Sequence, residues 1–422
     1  MGNSLDKILQ LGRRLVPRFL FALGQKPYHY ILALLGNLYY RSPSRELKVI
    51  AVTGTKGKTT TVEILNSILE EAGFKTAISS TLRSKVGDET VQNLYKMTTP
   101  GRFFLQHILR RAADLDCNYA ILEMTSQAVL QYRHRFIELD GLIFTGIHPE
   151  HIEAHGSFKQ YLGAKLEIAK ELVRSIKRPR SIVANTDDQY GVLFLDHESE
   201  NRIGYHLDDW SKYDYKTSLP GDFNKLNILG AAALARAEGV GEIAIAKGIA
   251  KLKKVPGRME SIDSAREKGF EVIVDYAHTT GSLEEVYKLF KGRHTICVLG
   301  ACGGGRDKWK RPEMGKIAEA YCSEIILTDE DPYDEDPEAI VGDMIGDMSN
   351  PKKASVEMDR RKAIHKALAR AKAVVPPLGD GTAKPVVLIT GKGTDPYIMG
   401  PKGSKLEWSD KLVAEEELAK LK

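Results

Sequence analysis

The length, composition and charge of the chain set its general class. At 422 residues it is long for a single hydrophobic core, which predicts two or three domains. With 42% hydrophobic and 28% charged residues it is typical of a soluble globular protein. The net charge of +5 agrees with anionic small substrates as well as with nucleic acid, so charge alone excludes neither. The four cysteines form no CxxC pair and no zinc-ribbon spacing, which excludes that kind of metal site and favours a reduced, cytoplasmic protein.

The first predicted element is an N-terminal helical segment, residues 1–46. It combines basic residues with two apolar stretches: Arg13, Arg14, Arg18, Phe19–Leu23 and Tyr28–Tyr40. Each stretch is shorter than the ~20 residues that span a bilayer, and no signal-peptide cleavage site follows. Residues 1–44 suit either a contact with the inner face of an anionic membrane or packing on the next domain, and the sequence leaves both open.

Strand and helix patterns alternate from residue 47 to about residue 255. Leu47–Thr53 is a β-rich apolar run, and a Gly-rich turn separates it from the amphipathic run Thr60–Ala72. The other predicted strands here are Tyr119–Leu122, Gly141–Phe144 and Ser181–Ala184. The predicted helices between them are Gly101–Asp114 and Ser157–Ile176. This alternation predicts an α/β domain, residues 47–255, with a mostly parallel sheet, helices on both faces and ligands at the carboxyl ends of the strands.

A break at Pro256-Gly257 predicts the start of a second α/β domain, residues 256–422. Its predicted strands are Phe270–Val274, Thr295–Leu299, Glu324–Leu327 and Val386–Ile389. The Lys- and Pro-containing stretch Lys372–Lys384 is expected to be a surface loop.

Residues 54–60 read Gly-Thr-Lys-Gly-Lys-Thr-Thr, between a predicted strand and a predicted helix. Glycines allow backbone N–H groups to turn towards phosphate oxygens, and the helix N-terminus adds favourable partial charge. Lys58 is then expected to reach the terminal phosphates and Thr59 a magnesium ion. The strict phosphate-loop pattern has Gly where Val52 stands, so a plain Gly/Lys-rich surface turn is the alternative.

A series of ordered motifs resembles the Mur ligase family, and within it the tripeptide synthetases. In the first domain they are Thr53–Thr60, Thr98-Thr-Pro100, Glu123–Arg133, Glu150-His151, His155-Gly156, Ala164-Lys165, Phe223-Asn224 and Asn227. In the second they are Pro256–Glu260, Asp275–His278, Gly303–Pro312, Asp359-Arg360 and Gly391–Gly393. The resemblance implies a central ATPase domain of the phosphate-loop type with a parallel sheet and a C-terminal Rossmann-like α/β domain.

The resemblance also implies ATP and Mg²⁺ as cofactors. The implied nucleotide site is Gly54, Thr55, Lys56, Gly57, Lys58, Thr59, Thr60, Asn227, Arg258 and Asp275. The implied catalytic residues are Lys58, Glu123, His151 and Lys165, of which the last three, with Thr59, form the implied metal sites. In the family a lysine at the position of Lys165 is carbamylated, which turns a cation into a metal-binding carboxylate. On local sequence alone, Lys165 is a plain helix-surface lysine.

A zinc site is the rival interpretation of the histidines. His148, His151 and His155 have spacings of three and four, which place them on one helix face, but the His-Glu-x-x-His order is absent.

The implied substrate residues divide into two groups. Those matched to the muramoyl-peptide acceptor are Thr98, Thr99, Thr125, Gln131 and Arg133. Those matched to the incoming amino acid are Arg306, Asp331, Pro332, Tyr333, Gly391 and Asp395.

The chain departs from the family pattern in three ways. Members that add meso-diaminopimelate carry Asp-Asn-Pro-Arg, whose arginine meets the distal carboxylate, whereas residues 330–333 here read Glu-Asp-Pro-Tyr. The family's Gly-Lys-Gly-His-Glu is here Gly-Lys-Gly-Thr-Asp, ending at Asp395. The segment 1–46 is too short for the family's UDP-binding N-terminal domain, which we expect this chain to lack.

The sequence therefore predicts an ATP-dependent ligase that joins a muramoyl-peptide carboxylate to an amino acid through an acyl phosphate, with no nucleic-acid partner. A folylpolyglutamate-type ligase and a muramoyl-peptide amidating subunit are alternatives, although the zinc-ribbon cysteines of the latter are absent. A non-enzymatic scaffold that uses ATP to close its domains is a third, against which intact Glu123, His151 and Lys165 argue.

Overall fold

The computed structural model describes residues 18–150, 152–375 and 383–421, with the backbone alone for residues 18–24. The predictions for Arg13, Arg14 and His151, and for part of the Lys372–Lys384 loop, fall outside these ranges.

The α-helices are numbered α1 to α14 in chain order: Arg18–Tyr39, Lys58–Glu71, Arg102–Asp114, Ser126–Leu130, Ile152–His155, Phe158–Arg174, Gly191–Leu195, Asp222–Ala237, Glu242–Lys251, Thr280–Lys288, Lys310–Tyr321, Pro337–Ile345, Arg360–Ala373 and Asp410–Lys420. The strands are numbered β1 to β16: Lys48–Thr53, Thr76–Ser79, Arg83–Val86, Glu89–Gln92, Tyr119–Glu123, Gly141–Phe144, Ser181–Asn185, Asn201–Tyr205, Glu260–Ser261, Glu271–Asp275, Thr295–Leu299, Glu324–Leu327, Ala354–Val356, Val386–Thr390, Tyr397–Met399 and Lys405–Glu407.

The first α/β unit is built on an eight-stranded sheet in the order β4-β3-β2-β5-β1-β6-β7-β8. All neighbouring pairs are parallel except β2–β3 and β3–β4, which confirms the predicted mostly parallel sheet. Strand β1 lies between β5 and β6, with Val52 opposite Glu123 and Thr53 opposite Phe144. The carboxyl ends of these three strands therefore meet at one edge of the sheet.

Helices cover both faces of this sheet, because β1 is apolar on both. Val49 and Ala51 belong to the core beneath α3 and α6, whereas Ile50 and Val52 belong to the core beneath α2, α8 and α9. All four side chains are fully buried. A shift of one residue would exchange the two faces, so side-chain packing on both sides fixes the register of the strand and the position of the loop that follows it.

The second α/β unit contains a six-stranded sheet in the order β13-β12-β11-β14-β10-β9. Only the β10–β9 pair in it is antiparallel. Its first strand begins at Glu260, and the domain division predicted at residue 255 stays a prediction. Strand β10 ends at Asp275, opposite Thr390 at the end of β14.

Helix α1 runs for 22 residues and contains Pro27. Proline removes one backbone donor, yet the helix continues on both sides of it. One face packs on α3, where buried Gly36 lies against the ring of Phe103. No helix in the described part of the chain is long and apolar enough to cross a membrane.

The expectation that all cysteines are reduced is wrong for one pair. Cys297 in β11 and Cys322 at the end of α11 form a disulfide, with 6.2 Å between their Cα atoms. The two are separated by 25 residues, and the sheet rather than a local motif brings them together. Cys117 and Cys302 remain free thiols.

Candidate active site

The phosphate loop joins β1 to α2 at the carboxyl edge of the first sheet. Gly54 and Gly57 have φ angles of +153° and +79°, and a side chain at Gly57 would collide with the amide group of Asn227. No side chain caps the start of α2 at Lys58. Unpaired N–H groups at a helix N-terminus bind phosphate, so the geometry matches the predicted loop rather than a plain surface turn.

A lysine, a hydroxyl and a carboxylate meet beside this loop. The Lys58 ammonium donates to the carbonyl oxygen of Thr55 at 3.0 Å and lies 3.9 Å from the Glu123 carboxylate. The Thr59 hydroxyl donates to the other oxygen of Glu123 at 3.0 Å. Burial lowers the pKa of Lys58, and the charge of Glu123 partly opposes that shift. Carboxylate and hydroxyl oxygens are the donors that Mg²⁺ prefers, so this pair fits the implied cofactor.

Lys165 lies in the interior, not on a helix surface. Its side chain projects from α6, is 2% exposed, and donates to the carbonyl oxygen of Gly54 at 2.7 Å. Its ammonium lies 4.9 Å from the centre of the Tyr161 ring. Burial, with a smaller contribution from the charge of Lys58, lowers the pKa of Lys165 far below its usual value. The interpretation of Lys165 as an ordinary surface lysine is therefore wrong.

The histidines near the loop have separate environments. The His155 ring bonds to the Ser126 hydroxyl at 3.0 Å, and burial lowers the pKa of His148. Among residues 18–150, 152–375 and 383–421, no group of three or more His, Cys, Asp or Glu side chains is arranged to hold a metal ion. Because His151 lies outside these ranges, its metal role and the zinc alternative both stay predictions.

The predicted nucleotide contacts from farther along the chain converge on the loop. Asn227 accepts from the Thr61 hydroxyl at 3.3 Å, and Arg258 donates to the Thr59 hydroxyl at 3.4 Å from the second α/β unit. The two carboxylate oxygens of Asp275 accept backbone N–H groups of the residues at 259 and 277, both at 2.7 Å. Burial raises the pKa of Asp275. Asp275 thus shapes the turns around the cleft, and its contact with ribose stays a prediction.

The predicted acceptor residues form one connected group beside Glu123. The Thr99 hydroxyl donates to the carbonyl oxygen of Glu123 at 2.8 Å and accepts from the backbone N–H of Thr125 at 3.2 Å. The Arg133 guanidinium donates to the carbonyl oxygen of Thr99 and to the Gln131 side chain. Burial, with the charge of Arg102, lowers the pKa of Arg133 to about 10. The Thr98 hydroxyl accepts from that of Thr81 at 2.8 Å.

A cavity of about 500 Å³ connects the phosphate loop with the predicted acceptor residues and with Arg306 of the second unit. The other residues predicted to surround the amino acid do not line this cavity: Asp331, Pro332, Tyr333, Gly391 and Asp395. They lie together next to it, where a side chain at Gly391 would collide with the Glu330 carboxylate, and where the Tyr333 hydroxyl lies beside Arg306.

The sequence did not indicate the charged pairs that link the two α/β units. Lys310 and Glu150 form a buried pair at 3.0 Å, and Lys56 of the phosphate loop lies 2.6 Å from Glu285 of α10. Lys96 lies 2.7 Å from Asp331. Each pair joins residues more than a hundred positions apart, and a single charged residue carries no pattern that would reveal so distant a partner.

Comparison with known proteins agrees with this geometry. Residues 52–208 match the Mur ligase middle domain, and residues 257–393 match the Mur ligase, glutamate ligase domain. The UDP-N-acetylmuramoyl-L-alanyl-D-glutamate–2,6-diaminopimelate ligase of Syntrophomonas wolfei is 34% identical over 92% of this chain and 81% of that relative. The ligase of the same name from Aquifex aeolicus is 35% identical over 90% of this chain and 79% of its own length.

Solved structures give the same result. A structure of a UDP-N-acetylmuramoyl-L-alanyl-D-glutamate–2,6-diaminopimelate ligase superposes with a TM-score of 0.55 at 25% identity, covering 89% of this chain and 78% of that one. Folylpolyglutamate synthase from Mycobacterium tuberculosis, complexed with ADP and AMPPCP, has a TM-score of 0.67 at 17% identity, covering 85% of this chain and 91% of its own. The second likeness shows the fold alone.

The two sheets, the phosphate loop and the cavity between them define an ATP-dependent α/β ligase. The chain belongs to the Mur ligase family. It is an ADP-forming enzyme of the type that joins an acid to an amino acid.

Proposed function

We propose that this ligase uses ATP to join the carboxylate of a muramoyl peptide to the amino group of an amino acid in peptidoglycan precursor synthesis. The main observation in support is that Thr99 hydrogen-bonds at 2.8 Å to the carbonyl oxygen of Glu123, whose carboxylate contacts the phosphate-loop residue Thr59. Acceptor and nucleotide residues are thereby neighbours. A carboxylate bound at the first group is within the same cavity as the γ-phosphate of a nucleotide bound at the second.

The reaction has two steps. A carboxylate oxygen of the acceptor attacks the γ-phosphorus, and ADP leaves with the electron pair of the broken bond. The amine then attacks the acyl-phosphate carbonyl carbon, and phosphate leaves as the amide forms and the amine loses a proton. Both steps concentrate negative charge, which the Lys58 ammonium and the positive end of α2 stabilise.

Thr59 and Glu123 are the described residues that would hold Mg²⁺, with His151 as a proposed further ligand. When bound, Mg²⁺ supplies positive charge to the phosphate oxygens. Glu123 is 2% exposed, and its carboxylate accepts the backbone N–H of Thr81 at 2.8 Å, which orients it towards the phosphate loop.

Carbamylation of Lys165 is part of the proposal. Burial lowers the pKa of Lys165 and so favours its neutral amine, the form that attacks CO₂ to give a carbamate after loss of a proton. The product carries a negative charge and two oxygen donors next to Gly54 and Lys58. If Lys165 stays an uncharged amine, Glu123 is the nearest described counter-ion of the Lys58 ammonium.

The added amino acid is proposed to be a diamino acid that is not held through an arginine clamp. Tyr333 stands where the clamp arginine of the family pattern would be, and its hydroxyl lies beside Arg306. A phenol donates a single hydrogen bond, whereas a guanidinium can donate two parallel hydrogen bonds to a carboxylate. Lysine therefore competes better here than in the relatives that are named for 2,6-diaminopimelate.

We also propose that α1 brings a cytoplasmic enzyme to the inner face of an anionic membrane. A stripe of large apolar side chains along α1 is exposed to solvent: Tyr28 50%, Ile31 52%, Leu35 49%, Leu38 59% and Tyr39 74%. Exposed Lys26 and Arg41 flank the stripe and complement anionic lipid. The helix also contacts the acceptor group, because Arg102 bonds to His29 of α1 and to the carbonyl oxygen of Gln131.

The test of the proposed reaction is ADP release by the full-length protein with ATP, Mg²⁺ and a panel of amino acids, with and without several muramoyl peptides. The expected result is release that requires both an acceptor and an amino acid, together with an amide product seen by mass spectrometry. ATP hydrolysis that is independent of every acceptor and amino acid would contradict the proposal and favour the scaffold alternative.

A further inference from the structure

The acidic side chains Asp331 and Asp395 of the second unit share two lysines. Lys392 donates to Asp331 at 2.8 Å, to Asp395 at 3.2 Å and to the carbonyl oxygen of Tyr397 at 2.6 Å. Lys96, from the loop before α3 in the first unit, reaches the same three residues: Asp331 at 2.7 Å, Asp395 at 3.1 Å and the carbonyl oxygen of Tyr397 at 3.1 Å. The cluster therefore contains two positions for an ammonium group.

The two ammonium positions differ in access. Lys392 is fully buried and lies between Gly391 and Gly393, so its own backbone forms part of the pocket wall. Lys96 arrives from across the cleft, its side chain is 15% exposed, and it lines the cavity that contains the acceptor residues. The second ammonium position is thus open to the cavity as soon as Lys96 withdraws.

The charges in the cluster balance while Lys96 is in place. Asp331 and Asp395 carry two negative charges and Lys392 and Lys96 two positive ones, while the charge of the buried Glu330, which also acts on Lys392, is opposed by that of Arg360. Lys392 and Lys96 together lower the pKa of Asp331, whose burial acts in the opposite direction. A third ammonium entering this pocket meets a neutral cluster and two like charges, so it gains little until one of the lysines leaves.

We propose that Lys96 is a specificity-determining residue, which occupies the ammonium position of the amino-acid pocket and competes with the side-chain ammonium of the incoming amino acid. This inference rests on the proposed function. A diamino acid has to displace Lys96 from Asp331 and Asp395, and that displacement also breaks a contact between the two α/β units. An amino acid with an uncharged side chain binds without this cost, so Lys96 reduces the preference for a cationic side chain.

The loop that carries Lys96 is built to hold it across the cleft. Lys96 has a φ of +50°, which non-glycine residues rarely adopt. Asn93 fixes the loop on both sides of it, since its amide donates to the carbonyl oxygen of Met97 at 3.0 Å and accepts from the backbone N–H of Tyr95 at 3.0 Å. The backbone therefore stays in place when the flexible side chain of Lys96 exchanges with another ammonium.

The test compares L-lysine with L-norleucine, which has the same chain length and no side-chain ammonium. The variant Lys96→Met keeps most of the stem and removes the charge, whereas Lys96→Arg keeps the charge. With a muramoyl-dipeptide acceptor, the ratio of kcat/KM for lysine over norleucine is expected to rise about tenfold in Lys96→Met, the effect of one partly buried charged contact, and to stay near the wild-type ratio in Lys96→Arg. An unchanged or lower ratio in Lys96→Met overturns the proposal.

Glu285→Gln is the matched control, because it removes another charged pair between the units, Lys56–Glu285, without touching the acidic cluster. Its lysine-to-norleucine ratio is expected to equal that of the wild type. A rise in this ratio equal to that of Lys96→Met would show that loosening of the two units, not the vacated ammonium position, causes the effect.

Calorimetric titration of L-lysine into full-length wild type and Lys96→Met gives a readout that does not depend on turnover. Tighter binding by the variant is expected even if the ligase assay fails, and equal binding overturns the proposal. Lys96→Gln replaces the Met variant if that variant does not fold.

Discussion

The buried ammonium group of Lys165 lies 2.7 Å from the carbonyl oxygen of Gly54, the first glycine of the phosphate loop. The contact links α6 to the turn that is proposed to bind the nucleotide. Because Lys165 is buried beside a second lysine, Lys58, its pKa lies well below the usual value of a lysine. A reaction that gives the Lys165 side chain a negative charge would allow it to form an ion pair with the Lys58 ammonium at the edge of the proposed nucleotide site.

Replacing Lys165 with alanine is expected to remove most ligase activity, with partial recovery when short carboxylic acids are added. A small carboxylate can enter the space left by the side chain and supply the oxygen donors of the proposed carbamate. ADP release measured against acetate and propionate concentration checks this. Lys170→Ala, on the exposed face of the same helix, is the control and should keep wild-type activity. Full activity of Lys165→Ala without added acid would end the carbamylation hypothesis.

Much of the fold was predictable because short apolar runs between breaking residues locate strands well. Gly141–Phe144, Thr295–Leu299 and Glu324–Leu327 have the predicted bounds. Helix ends were less accurate: α2 begins at Lys58, two residues before the predicted run, because its first turn is a polar part of the phosphate loop.

The site was predictable where its residues form local motifs and not where distant loops meet. The phosphate loop and the Thr99–Glu123 neighbourhood follow from motifs at the ends of adjacent parallel strands. The pair formed by Lys96 and Asp331 spans 235 positions and two sheets, and neither residue stands in a pattern that indicates the other. The Cys297–Cys322 disulfide was missed for the same reason.

Wild-type enzyme is expected to use lysine at least as well as meso-diaminopimelate, because Tyr333 offers a single hydroxyl in place of a guanidinium. A charged hydrogen bond of this kind is worth about 1.5 to 3 kcal/mol, which corresponds to roughly a 10- to 150-fold change in relative kcat/KM. Competition between the two amino acids for one acceptor, analysed by mass spectrometry, checks the ratio. Tyr333→Phe, which removes only the hydroxyl beside Arg306, should leave the ratio nearly unchanged. A strong preference of the wild type for diaminopimelate would contradict this expectation.

His134 is expected to make the fold sensitive to mild acid. It is 2% exposed, and burial together with Arg135 lowers its pKa to about 4 from an ordinary value of 6.5. The unfolded chain therefore binds more protons than the folded one between pH 6.5 and 4, so this residue's contribution to stability is lost as the pH falls through that window. The expected loss between pH 7 and pH 5 is about 2 kcal/mol.

Urea unfolding at pH 7 and pH 5 measures this contribution when the wild type is compared with His134→Phe, which does not titrate. The difference in unfolding free energy between the two pH values should be about 2 kcal/mol smaller in the variant. His107→Phe, at an exposed histidine of α3, should retain the wild-type difference. Equal pH dependence in wild type and His134→Phe would show that His134 titrates normally in the folded protein.

Full-length protein is expected to pellet with anionic vesicles at low salt, through the exposed stripe on α1. The variant Leu35→Glu/Leu38→Glu places two negative charges on that stripe and should lose vesicle binding while keeping its melting temperature, because both side chains are about half exposed. Ile243→Glu, at a 75% exposed position of α9, is the control for a new surface charge and should still bind.

Ala33→Glu, on the buried face of α1, should instead lower the melting temperature, since an unpaired carboxylate would be forced against α3. If the wild type ignores anionic vesicles at low salt, or if the stripe variant melts as early as Ala33→Glu, the stripe serves packing and the membrane contact has to be abandoned.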